Sequence, residues 1–533
     1  MHSFTPRPLQ SRMIQLVEEF LSTSPQPEKT ATRSSDSKAF RYRSANTALI
    51  EAGTGTGKTI AYLHSALRHQ QKTGGRIVVS TFSRALQMQI FSGGDLEMVR
   101  KDIGWKGKAA IRMGRANFVC PARVREFHEE ELSKEDYTPE WLQFYLWSQS
   151  FSDSMDPLES TFLHWRQGYS ETLPEVHGKE LSESFFCLRE EDAEKDQFFY
   201  RKHAAQALGA DLVVTNHATV LTDIWYGGRS ILGNVDTLIL DEADRLPDMA
   251  REMLSRRVRP TLFVRRIIER NRMLWNQRQQ TSLPADNPES AAQESAPTWN
   301  PQDRRLDQAW ETAQEAQQFL RDLEEQFHEN DCLASDLRDQ ERLTLARILA
   351  DLRVQLPLNH QEKETLDRLR DAFTAGTEDY SVRIEFTPFR RFPGFTIEPV
   401  QVESHLAPLY HAQWEEHSGI ERVLLTSATL TPLASKTSVQ TAQILYNIPA
   451  DSLCVRERLE PEAFGRVDLV LPDPRIQKPL SVSESGQIVY EKAWLQSLLL
   501  ALAVDPQYPK LMLVPSYQDV RALLRELQCY VPR

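Results

Sequence analysis

Apolar positions along this chain fall into two kinds of pattern. Six short runs are continuously apolar and rich in branched side chains: residues 47–51, 76–81 (RIVVST), 211–215 (DLVVT), 236–241 (DTLILD), 422–427 (RVLLTS) and 510–514 (KLMLV). Strands buried on both faces of a parallel sheet read this way, whereas half-exposed strands alternate. Most of the runs lead into helical spacing, as at 60–69 and 83–90. Strand, loop and helix in repetition predict an α/β fold built on parallel sheets. Between the runs lie two long, mainly helical stretches. Residues 118–208 are charged and aromatic-rich, with acidic clusters at 127–136 and 190–196. Residues 263–400 form the larger one. Within it, 279–303 is rich in Pro, Ser, Ala and Gln and reads as a linker. Segments 304–329 and 338–356 have helical spacing and are expected to pair as an antiparallel hairpin.

The chain has 533 residues, too many for one core, so three or four domains are expected. No run of apolar residues is long enough to span a bilayer, and the N-terminal MHSFTPRPLQSRM lacks the apolar centre of a secretory signal. Five irregularly spaced cysteines do not make a disulfide framework, which points to a reducing compartment. A net charge of -12 excludes a surface that is basic throughout, leaving only local basic patches to meet nucleic acid.

The strongest chemical signal is AGTGTGKT at 52–59. A loop that wraps a phosphate must turn several N–H groups inward, and glycine accepts the backbone angles this demands. The loop enters a helix whose N-terminus favours an anion. Gly53, Thr54, Gly55, Thr56 and Gly57 form the cradle. Lys58 is placed to reach the β and γ phosphates of ATP, and Thr59 offers a hydroxyl to Mg²⁺. Position 52, where this pattern has a glycine, holds Ala52.

LILDEAD at 238–244 ends an apolar strand in adjacent carboxylates. Asp241 is the candidate Mg²⁺ ligand, and Glu242 the group that polarises the attacking water. LLTSATL at 424–430 ends another strand in small hydroxyl residues. Ser427 and Thr429 are expected to touch the carboxylates and couple nucleotide state to a neighbouring domain.

The order of Arg7 and Gln10, AGTGTGKT, STFSRALQMQI (80–90), MGRANFVC (113–120), LVVTNHATVL (212–221), LILDEAD and LLTSATL resembles the DinG/XPD group of superfamily 2 helicases. That resemblance implies two RecA-like domains with ATP between them, and 5′→3′ movement on single-stranded DNA toward duplex junctions. It implies residues 1–117, 209–262 and 401–435 as the first RecA-like domain. An iron–sulfur-type insertion would occupy 118–208 and an arch-like insertion 263–400, with part of a second RecA-like domain at 436–533. Gln10 would contact adenine, and residues near 81–89, among them Thr81, Ser83 and Gln87, would line the DNA path. Two departures stand out. The family's cluster needs four thiolates, yet only Cys120 and Cys187 precede residue 209. The insertion is therefore expected to lack a cluster and to be held by Phe185, Phe186, Phe198, Phe199 and Tyr200. The family's arginine finger also has no counterpart up to Arg533. Taken literally, the chain would bind ATP and hydrolyse it about 10³–10⁵-fold more slowly. A cluster-less member resembles the DinG-like helicases that accompany certain CRISPR effector complexes in the bacterial cytoplasm.

Two further stretches suit nucleic acid. Residues 251–278 hold nine arginines and two acids, with Trp275 near the end. They read equally as a phosphate-tracking surface or as a solvated helix face. At 380–395, Arg383, Arg390 and Arg391 interleave with Phe386, Phe389, Phe392 and Phe395, which suits single strands, although a hairpin with core phenylalanines is favoured for the rings. His217 is expected to be packed or path-lining, since no second histidine lies at ligand spacing. Against the motor reading stands a nucleotide-gated binding subunit without processive movement; a fused nuclease finds no separate carboxylate and histidine cluster.

Overall fold

In the computed structural model, residues 6–32, 39–132, 138–170, 173–176, 179–189, 192–194, 196–227, 230–281, 304–327, 331–374, 380–386, 393–414, 417–430, 443–460, 480–482 and 488–490 are described. The chain divides into Met1–Pro461 and Glu462–Arg533. In the second unit the described part is an antiparallel pair, Leu480–Val482 with Ile488–Tyr490. The run at 510–514, Arg390, Arg391, Phe389, Phe392 and the linker at 282–303 lie outside the described residues.

The first unit is organised by a seven-stranded parallel sheet. Its strands are β1 (Asn46–Ala52), β2 (Ile77–Thr81), β3 (Ala109–Ile111), β4 (Leu212–Asn216), β5 (Thr237–Asp241), β10 (Arg422–Ser427) and β11 (Leu453–Leu459). Across the sheet the order is β11-β1-β10-β5-β2-β4-β3, and every pairing is parallel. The continuous apolar runs follow from burial on both faces. Ala48, Ile50, Ile77, Val79, Leu212, Val214, Ile239 and Leu424 join one core, while their neighbours Leu49, Val78, Val213, Leu238, Leu240, Val423 and Leu425 join the other. Helices α1 (Pro8–Leu21) and α2 (Lys58–Thr73) cover the first face through Met13, Leu16, Val17, Phe20, Leu63 and Leu67. This is the expected α/β arrangement, built on a parallel sheet with helices against its face. Because all seven strands run the same way, their C-terminal ends share one edge, where open α/β sheets place their ligands.

Two expected boundaries shift. Strand β11 pairs along β1 from Leu453 to Leu459, so the first unit runs through residue 461 and does not end at 435. At the other end, β6 (Arg256–Val258) pairs with β9 (Gly394–Pro399), so the second insertion begins near 256 and not 263. That insertion is a four-stranded antiparallel sheet, β6-β9-β8-β7, with β7 (Cys332–Leu333) and β8 (Tyr380–Glu385). It packs with helices Pro260–Thr281, Arg304–Gln326, Asp339–Gln355 and His360–Thr374. The expected helical hairpin forms: Thr312 bonds Gln355, Arg347 pairs with Glu315 and Arg338 bonds Gln326, an antiparallel register. Phe386 and Phe395 are core residues.

The first insertion has an aromatic core that takes Phe186 from the expected set and builds the rest from other residues. Trp141, Phe144, Trp147, Phe162, Trp165 and Phe186 are buried together. Phe185 is 58% and Phe198 37% exposed, and Phe199 and Tyr200 pack on a separate small cluster. Cys120 belongs to that cluster with Ile111, Met113, Phe118 and Leu188, and burial pushes its thiol up to about 11. Cys187 packs against the tryptophan core. Two thiols in different cores do not fit a four-thiolate cluster.

Candidate nucleotide site and strand edge

The glycine-rich loop leaves β1 at Ala52, which is the last residue of an extended, fully buried strand. Extended backbone tolerates any side chain, which is why alanine serves at this position. Gly55 and Gly57 then adopt φ of 76° and 79°, the left-handed region that glycine alone enters freely. Thr56 Oγ1 donates to the Gly53 carbonyl at 2.8 Å, closing the loop. Lys58 opens α2, and its Nζ donates to the carbonyls of Ala52 and Gly53 at 2.9 and 3.3 Å. The start of α1 clasps the loop from outside. Arg7 donates to the Gly55 carbonyl at 3.0 Å, and Gln10 Nε2 donates to the Gly57 carbonyl at 3.1 Å. The Gln10 amide oxygen accepts from the Arg7 backbone N–H.

Asp241 ends β5, two strands from β1. Its carboxylate is buried, which pushes its pKa up. The Tyr62 hydroxyl, the Lys58 charge and the Glu242 N–H oppose that shift. Tyr62 lies one turn along α2 from Thr59, is fully buried, and donates to Asp241 Oδ2 at 2.9 Å. The Thr59 side chain also lies close to the Tyr62 hydroxyl. Tyr62 thus ties the lysine's helix to the acidic strand. Nothing in its local sequence marks it except its helical offset from Thr59.

Glu242 has φ 56° and ψ 43°, left-handed geometry in a residue with a full side chain. Such a conformation costs about 1–2 kcal/mol and persists only where the surroundings enforce it. Burial raises its pKa first, followed by the charges of Asp241 and Asp244. Ser427 Oγ donates to Asp244 Oδ1 at 2.5 Å, and Thr429 Oγ1 donates to Asp244 Oδ2 at 3.1 Å. The contact expected of these hydroxyls therefore falls on Asp244, not on Asp241 or Glu242.

Farther along the same edge are the residues expected to meet a strand. Thr81 and Gln87 are buried, each with an oxygen lacking a hydrogen-bond partner. Ser83 caps the helix Arg84–Ser92 by accepting from Leu86 N–H. Phe82 stands 38% exposed between them, with the Arg245 guanidinium 5.8 Å from its ring. His217 is packed, as expected. Most of the arginines in 251–278 have internal partners: Arg270 forks onto Glu362, Arg257 pairs with Glu385, and Arg251 and Arg256 bond carbonyls. The Trp275 side chain lies outside the described residues.

Among the described residues no cluster of three or more His, Cys, Asp or Glu could cage a metal. Mg²⁺ needs no such cage, since one carboxylate and one hydroxyl beside substrate phosphates suffice. Buried Asp241 and the Thr59 hydroxyl, both close to the Tyr62 hydroxyl, fit that description.

No protein-family model matches the chain. Over 206 residues it is 34% identical to the ATP-dependent DNA helicase YoaA of Escherichia coli, 38% of this chain and 30% of that protein. It is 32% identical over 222 residues to YoaA of Haemophilus influenzae, 40% of this chain and 32% of that protein. The 3′-5′ exonuclease DinG of Bacillus subtilis is 28% identical over 256 residues, 45% of this chain and 26% of that protein. The matched part thus spans about a third or less of each relative's length. A solved structure titled XPD helicase overlaps 85% of this chain and 62% of its own, at a TM-score of 0.38 and 13% identity, too loosely to bear on function. Among the described residues no helix is long and apolar enough to cross a membrane.

Proposed function

We propose that this chain is the ATP-binding motor of a DNA helicase of the DinG/XPD kind. The observation that carries the reading is the Tyr62 bridge, which joins the helix of Lys58 and Thr59 to Asp241 at the shared edge of the sheet. The loop N–H groups and Lys58 hold the β and γ phosphates, and Gln10 and Arg7 keep the loop in shape. Glu242, its carboxylate held beside Asp241 by left-handed backbone, orients the attacking water and takes its proton. Thr59 and Asp241 would hold Mg²⁺, which supplies charge neutralisation on the transferred phosphoryl group. Ser427 and Thr429 report on the acidic turn through Asp244. The partly exposed Phe82 offers a stacking surface to a single strand beside this edge.

The finer reading is 5′→3′ movement on single-stranded DNA, in the bacterial cytoplasm, with recruitment to a CRISPR ribonucleoprotein complex. The resemblance of the motifs supports it. In the test, ATP turnover by the full-length protein is measured with and without single-stranded DNA, alongside unwinding of 5′-tailed and 3′-tailed duplexes. Stimulated turnover, abolished by Lys58→Ala, is expected. Unwinding by Lys58→Ala at the unmutated rate would end the motor reading.

A further inference from the structure

One buried group has no part in the chemistry above. His217 begins the helix after β4 and is fully buried. Its Nδ1 lies 2.8 Å from Ser80 Oγ on β2, and its Nε2 lies 3.3 Å from the backbone carbonyl of Glu242. A carbonyl only accepts, so Nε2 carries the proton. Nδ1 must then accept from the Ser80 hydroxyl. Burial holds the ring neutral, with its pKa lowered to about 4. The chemistry of the partners therefore fixes one tautomer and one direction of bonding.

The position of this relay matters more than the relay itself. Ser80 precedes Thr81, Phe82 and Ser83, the loop that faces the candidate strand path. The Glu242 carbonyl sits inside the left-handed residue whose side chain must be aimed at water. That carbonyl accepts one other described hydrogen bond, from Arg245 N–H at 3.1 Å. We propose that His217 is a positioning residue that holds Glu242 in its left-handed backbone and transmits occupancy of the strand edge to it through Ser80. This rests on the helicase reading and adds the route by which DNA stimulates turnover.

Glutamine spans a similar distance with one acceptor and one donor. His217→Gln should therefore keep both bonds, while His217→Phe fills the space and keeps neither. Ser80→Ala cuts only the link to β2. In the full-length protein, ATP turnover is measured with and without oligothymidine, together with affinities for a fluorescent ATP analogue and for oligothymidine. The expectation for Ser80→Ala is unchanged basal turnover and both affinities within about threefold, with at least a fivefold loss of stimulation. His217→Phe should lose basal turnover as well, without loss of analogue affinity, and His217→Gln should restore most of both. Stimulation that survives Ser80→Ala intact overturns the relay, as does a Gln variant no better than Phe. If His217→Phe does not fold, Ser80→Ala still decides. If the unmutated protein shows no stimulation at all, the helicase reading falls first and takes the relay with it.

Discussion

Gly57→Ala tests the loop geometry against its clasp. Gly55 and Gly57 share left-handed angles, so alanine at either costs about 1 kcal/mol from backbone strain alone. Their surroundings differ. A Cβ on Gly55 meets nothing within 4 Å, whereas one on Gly57 comes within 2.4 Å of Gln10 Nε2 and 3.1 Å of its Cδ. Gln10 is 5% exposed and held at both ends of its amide, so it cannot swing aside without breaking its bond to the Gly57 carbonyl. Losing that bond and stranding a buried amide costs about 1–3 kcal/mol. Gly57→Ala should therefore destabilise by roughly 2–4 kcal/mol and Gly55→Ala by about 1. Urea denaturation of the full-length protein, followed by circular dichroism and by loss of fluorescent-ATP binding, gives the two values. Adding Gln10→Ala removes the clash, so the penalty for Gly57→Ala should shrink toward that for Gly55→Ala. Equal penalties at the two glycines, or a gap that Gln10→Ala leaves unchanged, would refute the clasp.

Tyr62→Phe removes a bond from a hydroxyl to a buried carboxylate, worth about 1.5–3 kcal/mol. Turnover should fall about 10–100-fold, and the tightening of fluorescent-ATP binding by Mg²⁺ should weaken, while metal-free binding stays near the unmutated value. His203 is buried, accepts the Met113 N–H and has a pKa lowered to about 3. His217 is lowered to about 4. Both folded values lie below the ordinary 6.5, so their neutral forms support the fold fully above that pH. That support is lost as pH falls from 6.5 toward 3–4, at about 1.4 kcal/mol per pH unit for each. Urea denaturation at pH 7.5, 6 and 5 reads the slope, and His203→Gln, which keeps an acceptor without a proton, should flatten it by one group's share. Iron analysis of protein purified without oxygen should find far less than one cluster per chain, and stoichiometric iron would contradict the packing of Cys120 and Cys187.

What the sequence disclosed follows from how each element is buried. The five described apolar runs are central strands, covered on both faces, so their patterns are continuous and easily seen. Strand β11 (LCVRERL) is an edge strand with Cys454, Arg456 and Arg458 exposed, and its alternation hid it among charged residues. The first insertion misled in a related way. Phe185 and Phe198 are aromatic yet face solvent. The true core was written at helical spacing in Trp141, Phe144 and Trp147, a signal of position and not of composition. Tyr62 reads as one more apolar position on α2, because its partner is 179 residues away.

The acidic turn shows where sequence reasoning could have gone further without coordinates. Strands β5 and β10 are parallel neighbours, and Asp241 stands opposite Thr426. Parallel register then puts Ser427 level with Glu242 and carries the next residues toward the turn that follows. A hydroxyl on Ser427 or Thr429 has to meet the far end of the DEAD segment, because Asp241 still lies within the ladder and Glu242 turns away through left-handed backbone. Asp244 is the carboxylate left in reach, and both hydroxyls bond to it. What the sequence withholds is only that β5 and β10 are adjacent, since 180 residues and an entire inserted domain separate them. Given that one adjacency, the contact follows from strand geometry, and so does its consequence. Ser427→Ala and Thr429→Ala should leave ATP binding intact, and together they should cost less turnover than the sum of the two single losses. Additive single effects would mean that the two hydroxyls do not share Asp244 during the cycle.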